Sequence, residues 1–94
     1  MEMKVLTTRI EDRLMKDLEW IGREEKAERA EVARRLLGEA VKNWKLKKAL
    51  EKISEGAWTI RRAARFAGVT YYEMIEEMAE RGVDSGPTLA DLRE

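Results

Sequence analysis

Only one stretch of the chain, KVLTTRI at residues 4–10, alternates like a β-strand. Lys4, Leu6, Thr8 and Ile10 fall on one face, and Val5, Thr7 and Arg9 on the other. Everything after it reads as helix. A lone strand carries a row of unpaired backbone donors and acceptors, costly when buried and adhesive when exposed. The expected fold therefore turns on what this one stretch pairs with.

The helices that follow are amphipathic. Glu11 and Asp12 stand where a first helix begins, and acids suit the positive helix end. Leu14, Leu18 and Ile21 follow at helical spacing, with Met15 beside them and Trp20 well off that stripe. Gly22 weakens a helix interior, which sets the end of this helix between Gly22 and Lys26. A second helix carries Val32, Ala33, Leu36, Leu37, Ala40 and Trp44 on one broad face. Leu46, Ala49, Leu50 and Ile53 fall on a different face, so the apolar stripe jumps near Trp44–Lys47. The jump reads as a kink or a domain boundary.

One strand and two amphipathic helices cannot close a core, but two copies can, with the strands paired antiparallel over four helices. LTTRIEDRLMKDLEWI followed by RAEVARRLL resembles the ribbon-helix-helix family of Arc- and MetJ-like repressors, over residues 4–44. The resemblance implies an intermolecular two-stranded ribbon lying in the DNA major groove. Val5, Thr7 and Arg9 would then read base edges, with Lys4 and Arg29 beside them on the DNA. Arg9 suits guanine, whose O6 and N7 accept from one guanidinium. Leu6, Thr8, Ile10, Leu14, Leu18, Ile21, Val32 and Leu36 would form the dimer core. The chain departs from the family pattern at Ala30, where Ser or Thr usually opens the second helix on a phosphate. Glu28 and Glu31 would also oppose a phosphate there.

The chain has neither Cys nor His, which excludes disulfides, zinc fingers, thiol nucleophiles and imidazole catalysis. No nucleophile–base or metal set stands out, so neither an enzyme nor a cofactor is expected. No apolar run approaches the roughly 20 residues of a membrane span, and no signal-peptide core is evident. A soluble cytoplasmic protein is the expectation. Gln is absent and Asn occurs once, a composition similar to that of thermophile proteins. The formal charge of zero is partitioned. Residues 1–28 carry 6 basic and 8 acidic side chains, residues 29–65 carry 11 and 4, and residues 66–94 carry 2 and 7. A basic middle suits polyanions, and an acidic end suits a basic partner.

The second half reads as a small helix-turn-helix-like unit. Gly56 stops a helix, Thr59 caps IRRAARFA and Gly68 makes a tight turn. Thr70 to Glu73 fits a capping box, and Gly82 ends the helix that carries Ile75, Met78 and Ala79. The last helix, which would enter the groove, bears Glu73, Glu76, Glu77 and Glu80. Carboxylates repel phosphates, so this unit is not expected to read a groove, although Arg61, Arg62 and Arg65 on the preceding helix can reach backbone. KNWKLKK at 42–48 reads as a solvated basic helix face.

Residues 49–83 resemble a family of short prokaryotic proteins with the pattern AAxxAGvs, then an acidic-apolar helix ending in ERGI or ERGV; here these are AARFAGVT and ERGV. Several of its members are antitoxins of VapC-type PIN-domain ribonucleases. The resemblance implies that Glu73, Glu76, Glu77 and Glu80 bind a toxin, joined by Leu89 and Leu92 of the acidic tail.

The expected class is mainly α, a ribbon-helix-helix front end followed by the helix-turn-helix-like unit. Residues 1–45 would dimerise and bind DNA, 46–83 form the helical unit, and 84–94 a partner-binding tail. The leading function is an antitoxin-type regulator with three partners: duplex DNA, itself and a PIN-domain toxin. A free-standing transcription factor and a dimeric adaptor with no DNA role are the alternatives.

Overall fold

The computed structural model describes residues 2–83, and the readings of Thr88, Leu89, Leu92 and the 84–94 tail lie outside them. Four helices follow one another: α1 (Asp12–Glu25), α2 (Arg29–Ser54), α3 (Ile60–Ala67) and α4 (Tyr71–Arg81). The described residues fall into two compact units, one ending at Leu37 and the other beginning at Gly38.

The expected ribbon is not there. Residues 2–11 have no regular secondary structure, and no strand occurs among the described residues, so the fold is all-helical rather than ribbon-helix-helix. Alternation alone does not make a strand. A strand exists only where a neighbour accepts and donates its backbone hydrogen bonds, and here no described segment does so.

In the first unit, α1 begins after Glu11, whose backbone is extended and whose side chain makes no capping bond. It runs three residues past Gly22. That glycine is not a helix breaker but a contact point. A Cβ built there would lie 2.8 Å from the Ala27 carbonyl oxygen and 3.9 Å from Val32 Cγ2. The Ala27 N–H donates back to the Gly22 carbonyl at 2.9 Å, and so does the N–H of Lys26. Only Gly22 and Val32 are buried in this unit. Arg29 pairs with Glu19 at 3.0 Å, and Arg35 with Glu25. All four side chains are well solvated, and such pairs contribute roughly 0–1 kcal/mol each.

The helix α2 continues without a break through the place where its apolar stripe changes face. The stripe changes face inside an unbroken helix, and the boundary between the units falls earlier, between Leu37 and Gly38. Beyond Gly38 its buried side chains are Leu46, Ala49, Leu50 and Ile53. They form one core with Ala63, Ala64 and Ala67 of α3 and Met74 and Met78 of α4. Alanines at the α3 contacts let helices approach closely. Ile53 and Met74 are the large side chains most completely withdrawn from water in this unit, each stabilising by about 1.5–3 kcal/mol. Trp58, Ile60, Phe66, Val69 and Val83 cover the edges.

Each helix ends by the same device. Backward hydrogen bonds run from Ala27 to Gly22, Ala57 to Lys52, Val69 to Ala64, and Val83 to Met78, at 2.8–3.0 Å. They satisfy carbonyls that the last helical turn leaves open, and they require a left-handed residue just before the donor. Gly56, Gly68 and Gly82 fill that position in three helices, with φ of 75, 72 and 66°. In α1 it is Lys26, with φ of 55°.

Two substitutions at this α1 end should have opposite signs. Gly22→Ala should destabilise by about 1–2 kcal/mol, because the clash is with backbone and outweighs the gain in helix propensity. Lys26→Gly should stabilise by about 0.5–1 kcal/mol by removing the cost of a left-handed side-chain-bearing residue. Urea denaturation at one fixed protein concentration checks both.

Candidate functional site

Two surfaces stand out, one on each unit. On the first, every described residue before α1 is exposed. Val5 is 95% and Leu6 75% exposed. Lys4 lies within 3.7 Å of Glu2, a solvated pair. Thr7 and Arg9 project into solvent. Thr8 is likewise outside any core, its hydroxyl reaching only the Arg9 carbonyl at 3.5 Å, too long to matter energetically. Arg29 is engaged by Glu19 rather than open to a phosphate. Ala30 and Glu31 occupy the first turn of α2.

The residues expected in a dimer core separate by position. Val32 is fully buried within its own unit. Leu18, Ile21 and Leu36 are half-buried, and Leu6, Thr8, Ile10 and Leu14 are exposed. Trp20 and Leu37 are also open, at 58% and 53%. Helix periodicity placed these side chains on faces, but a face turned away from water needs a second surface to cover it.

On the second unit, α4 presents its acids unevenly. Glu73 is used internally. Its carboxylate accepts from the Thr70 N–H at 2.8 Å while the Thr70 hydroxyl accepts from the Glu73 N–H at 3.1 Å, a complete capping box. Glu77 pairs with Arg81 at 3.1 Å one turn on. Glu76 and Glu80 are exposed, without an ion-pair partner among the described residues. Tyr72 lies beside them on the helix surface, 77% exposed.

The sequence reading did not anticipate a series of cations held over rings. Arg62 sits 4.8 Å from the Trp58 ring, Lys45 5.0 Å from Phe66, and Arg61 5.2 Å from Tyr71. Trp58 and Phe66 meet edge to face at 5.0 Å. Lys48 lies 5.6 Å from Trp44. The Trp44–Lys48 pair lies one turn apart on α2, a signal present in the sequence, whereas Trp58 precedes the Thr59 cap of α3. Lys45–Phe66 and Arg61–Tyr71 join different helices and carried no such signal.

No family model, curated protein or solved structure matches the chain. No helix among the described residues is long and apolar enough to cross a membrane.

The Glu73 carboxyl titrates below the usual carboxylate range. The Thr70 backbone N–H is the main cause and the Thr70 hydroxyl the next; slight desolvation opposes them and the Lys42 charge adds to them. A depressed folded-state value means that the cap's contribution is complete above the unfolded value of about 4.3 and fades as pH falls through the folded one. Carbon-detected NMR titration should therefore show the Glu73 midpoint rising part of the way toward the ordinary range in Thr70→Ala, which removes the hydroxyl and keeps the backbone N–H. An unchanged midpoint in that variant would remove the Thr70 hydroxyl as a cause.

Proposed function

We propose that the chain is an antitoxin-type regulator. It self-associates through its first unit, contacts operator DNA through the exposed segment Lys4–Arg9, and binds a toxin, a PIN-domain ribonuclease, through α4. The observation that carries this reading is the apolar surface left open on the first unit: Val5, Leu6, Ile10, Leu14, Trp20 and Leu37 are exposed while only Gly22 and Val32 are buried. Large apolar side chains left in water, with so little buried beside them, favour association. A second copy presents the same surface, and a two-fold interface is self-complementary.

The DNA contact rests on Lys4, Thr7 and Arg9, which stand in solvent with their donors available. Two copies double whatever one segment contributes. The partner contact rests on the exposed acids Glu76 and Glu80 beside Tyr72, a mixed acidic and aromatic surface. Such a surface suits the basic cleft of an RNA-cleaving enzyme. The similarity of AARFAGVT and ERGV to antitoxins of that class supports the same assignment.

Sedimentation equilibrium should give a dimer at micromolar concentration, and Leu14→Glu should shift it to monomer. A wild-type monomer at that concentration would sink the proposal. Fluorescence anisotropy with the duplex upstream of the chain's own coding sequence should show binding that weakens steeply with salt. Arg9→Ala should reduce it by roughly thirtyfold or more, as loss of a contact worth about 1–3 kcal/mol that is made twice. Binding that is absent even at low salt would leave the adaptor reading. Co-expression with the adjacent gene product tests the toxin contact, with Glu76→Lys/Glu80→Lys expected to break the complex.

A further inference from the structure

We infer that the second unit carries a DNA-backbone contact of its own, formed by Arg61, Arg62 and Arg65 of α3 with Lys45 of α2. The arginines elsewhere in the described helices are often spent on carboxylates, as in Arg29–Glu19, Arg35–Glu25 and Arg81–Glu77. None of the three on α3 has a carboxylate partner among the described residues, and α3 itself contains no acid. All three are exposed. They place three positive charges on a helix of eight residues.

The rings determine what these cations can do. A guanidinium lying over an aromatic face is held in place by that face, yet its N–H donors lie in its own plane and point outward. Arg62 lies 4.8 Å from the Trp58 ring centre and Arg61 5.2 Å from that of Tyr71, and both side chains are exposed. Part of the entropy cost of fixing a long side chain is thereby already met before a ligand arrives. Planar forks with open donors suit phosphate oxygens.

The same geometry argues for the sugar-phosphate backbone of a duplex rather than for unpaired bases. A single strand is held largely by stacking its bases on open aromatic faces. Here Trp58 and Phe66 meet edge to face, with Arg62 on one and Lys45 on the other. Both rings are partly buried and pack against the core of the unit. They serve as supports for cations, and the cations face the solvent. Of the acids of α4, Glu77 is neutralised by Arg81; Glu73, Glu76 and Glu80 keep their charge, so the contact is confined to the α3 arginines and Lys45.

The contact is separate from the one proposed at Lys4–Arg9, so the two are tested against each other. The full chain is titrated with a labelled 20-base-pair duplex of arbitrary sequence, and with a single strand of equal length, across a salt series. Arg61→Gln/Arg62→Gln/Arg65→Gln should make the slope of log K against log salt shallower by about 2–3 on the duplex, since each phosphate neutralised contributes about 0.9. The same decrement should appear in a Lys4→Ala/Arg9→Ala background, so that loss of the N-terminal contact leaves this one measurable. Circular dichroism melting of the triple variant checks that the unit stays folded, and Lys replacements, which keep the charge, should restore most of the slope. An unchanged duplex slope in the folded triple variant would overturn the inference. Tighter binding to the single strand than to the duplex would overturn it in favour of base stacking. Loss of the neighbouring gene product, with DNA binding intact, would reassign the arginines to a protein surface.

Discussion

Each turn of this chain depends on one backbone constraint, a residue with positive φ at the end of a helix. With it, an N–H from beyond the helix reaches back to an open carbonyl of the last turn. The three turns that follow α2, α3 and α4 use Gly56, Gly68 and Gly82. The second unit's core is small, and its α3 contacts are alanines. Side-chain burial alone would therefore hold the helix ends weakly. The turns set the geometry, and the alanines permit the approach that the geometry demands.

The two units meet this demand differently. The second surrounds Ile53, Met74 and Met78 with three helices, although Val41, Trp44, Tyr72 and Ile75 stay exposed on its surface. The first buries almost nothing and leaves aliphatic and aromatic side chains in water. Its ion pairs are solvent-exposed and contribute little. Under the proposed self-association this unit would gain further apolar burial from a second copy, which would join its stability to protein concentration. The proposed regulator follows from that asymmetry: one part that needs a copy of itself, and one that folds with its surfaces available to other partners.

Much of the second unit was legible from local chemistry. Thr59, Gly68, Thr70, Glu73 and Gly82 each occupy the capping position that their residue type suggests, because caps depend on a few neighbouring backbone groups. The α1 end falls at Glu25, within the expected Gly22–Lys26. What the sequence did not carry is the close approach of the Ala27 carbonyl to Gly22, a contact invisible until the chain has turned. The alternation at 4–10 suggested a strand, but strand formation is a property of a pair of segments, and one segment cannot supply it. Of the surface features, the Trp44–Lys48 pair lies at helical spacing on α2, whereas Lys45 over Phe66 required two helices to be brought together.

The sequence by itself determined where helices begin and end, which residues are apolar on which face, and that charge is segregated along the chain. These are short-range properties, set by backbone conformational preference and by side chains within one or two turns. Only the tertiary structure decided that α2 runs unbroken from the first unit into the second, that the Ala27 carbonyl closes on Gly22, and that Lys45 lies over Phe66 and Arg61 over Tyr71. The two ring contacts are a choice among partners on different helices. Such a choice depends on which surfaces the folded chain brings within a few ångströms of one another.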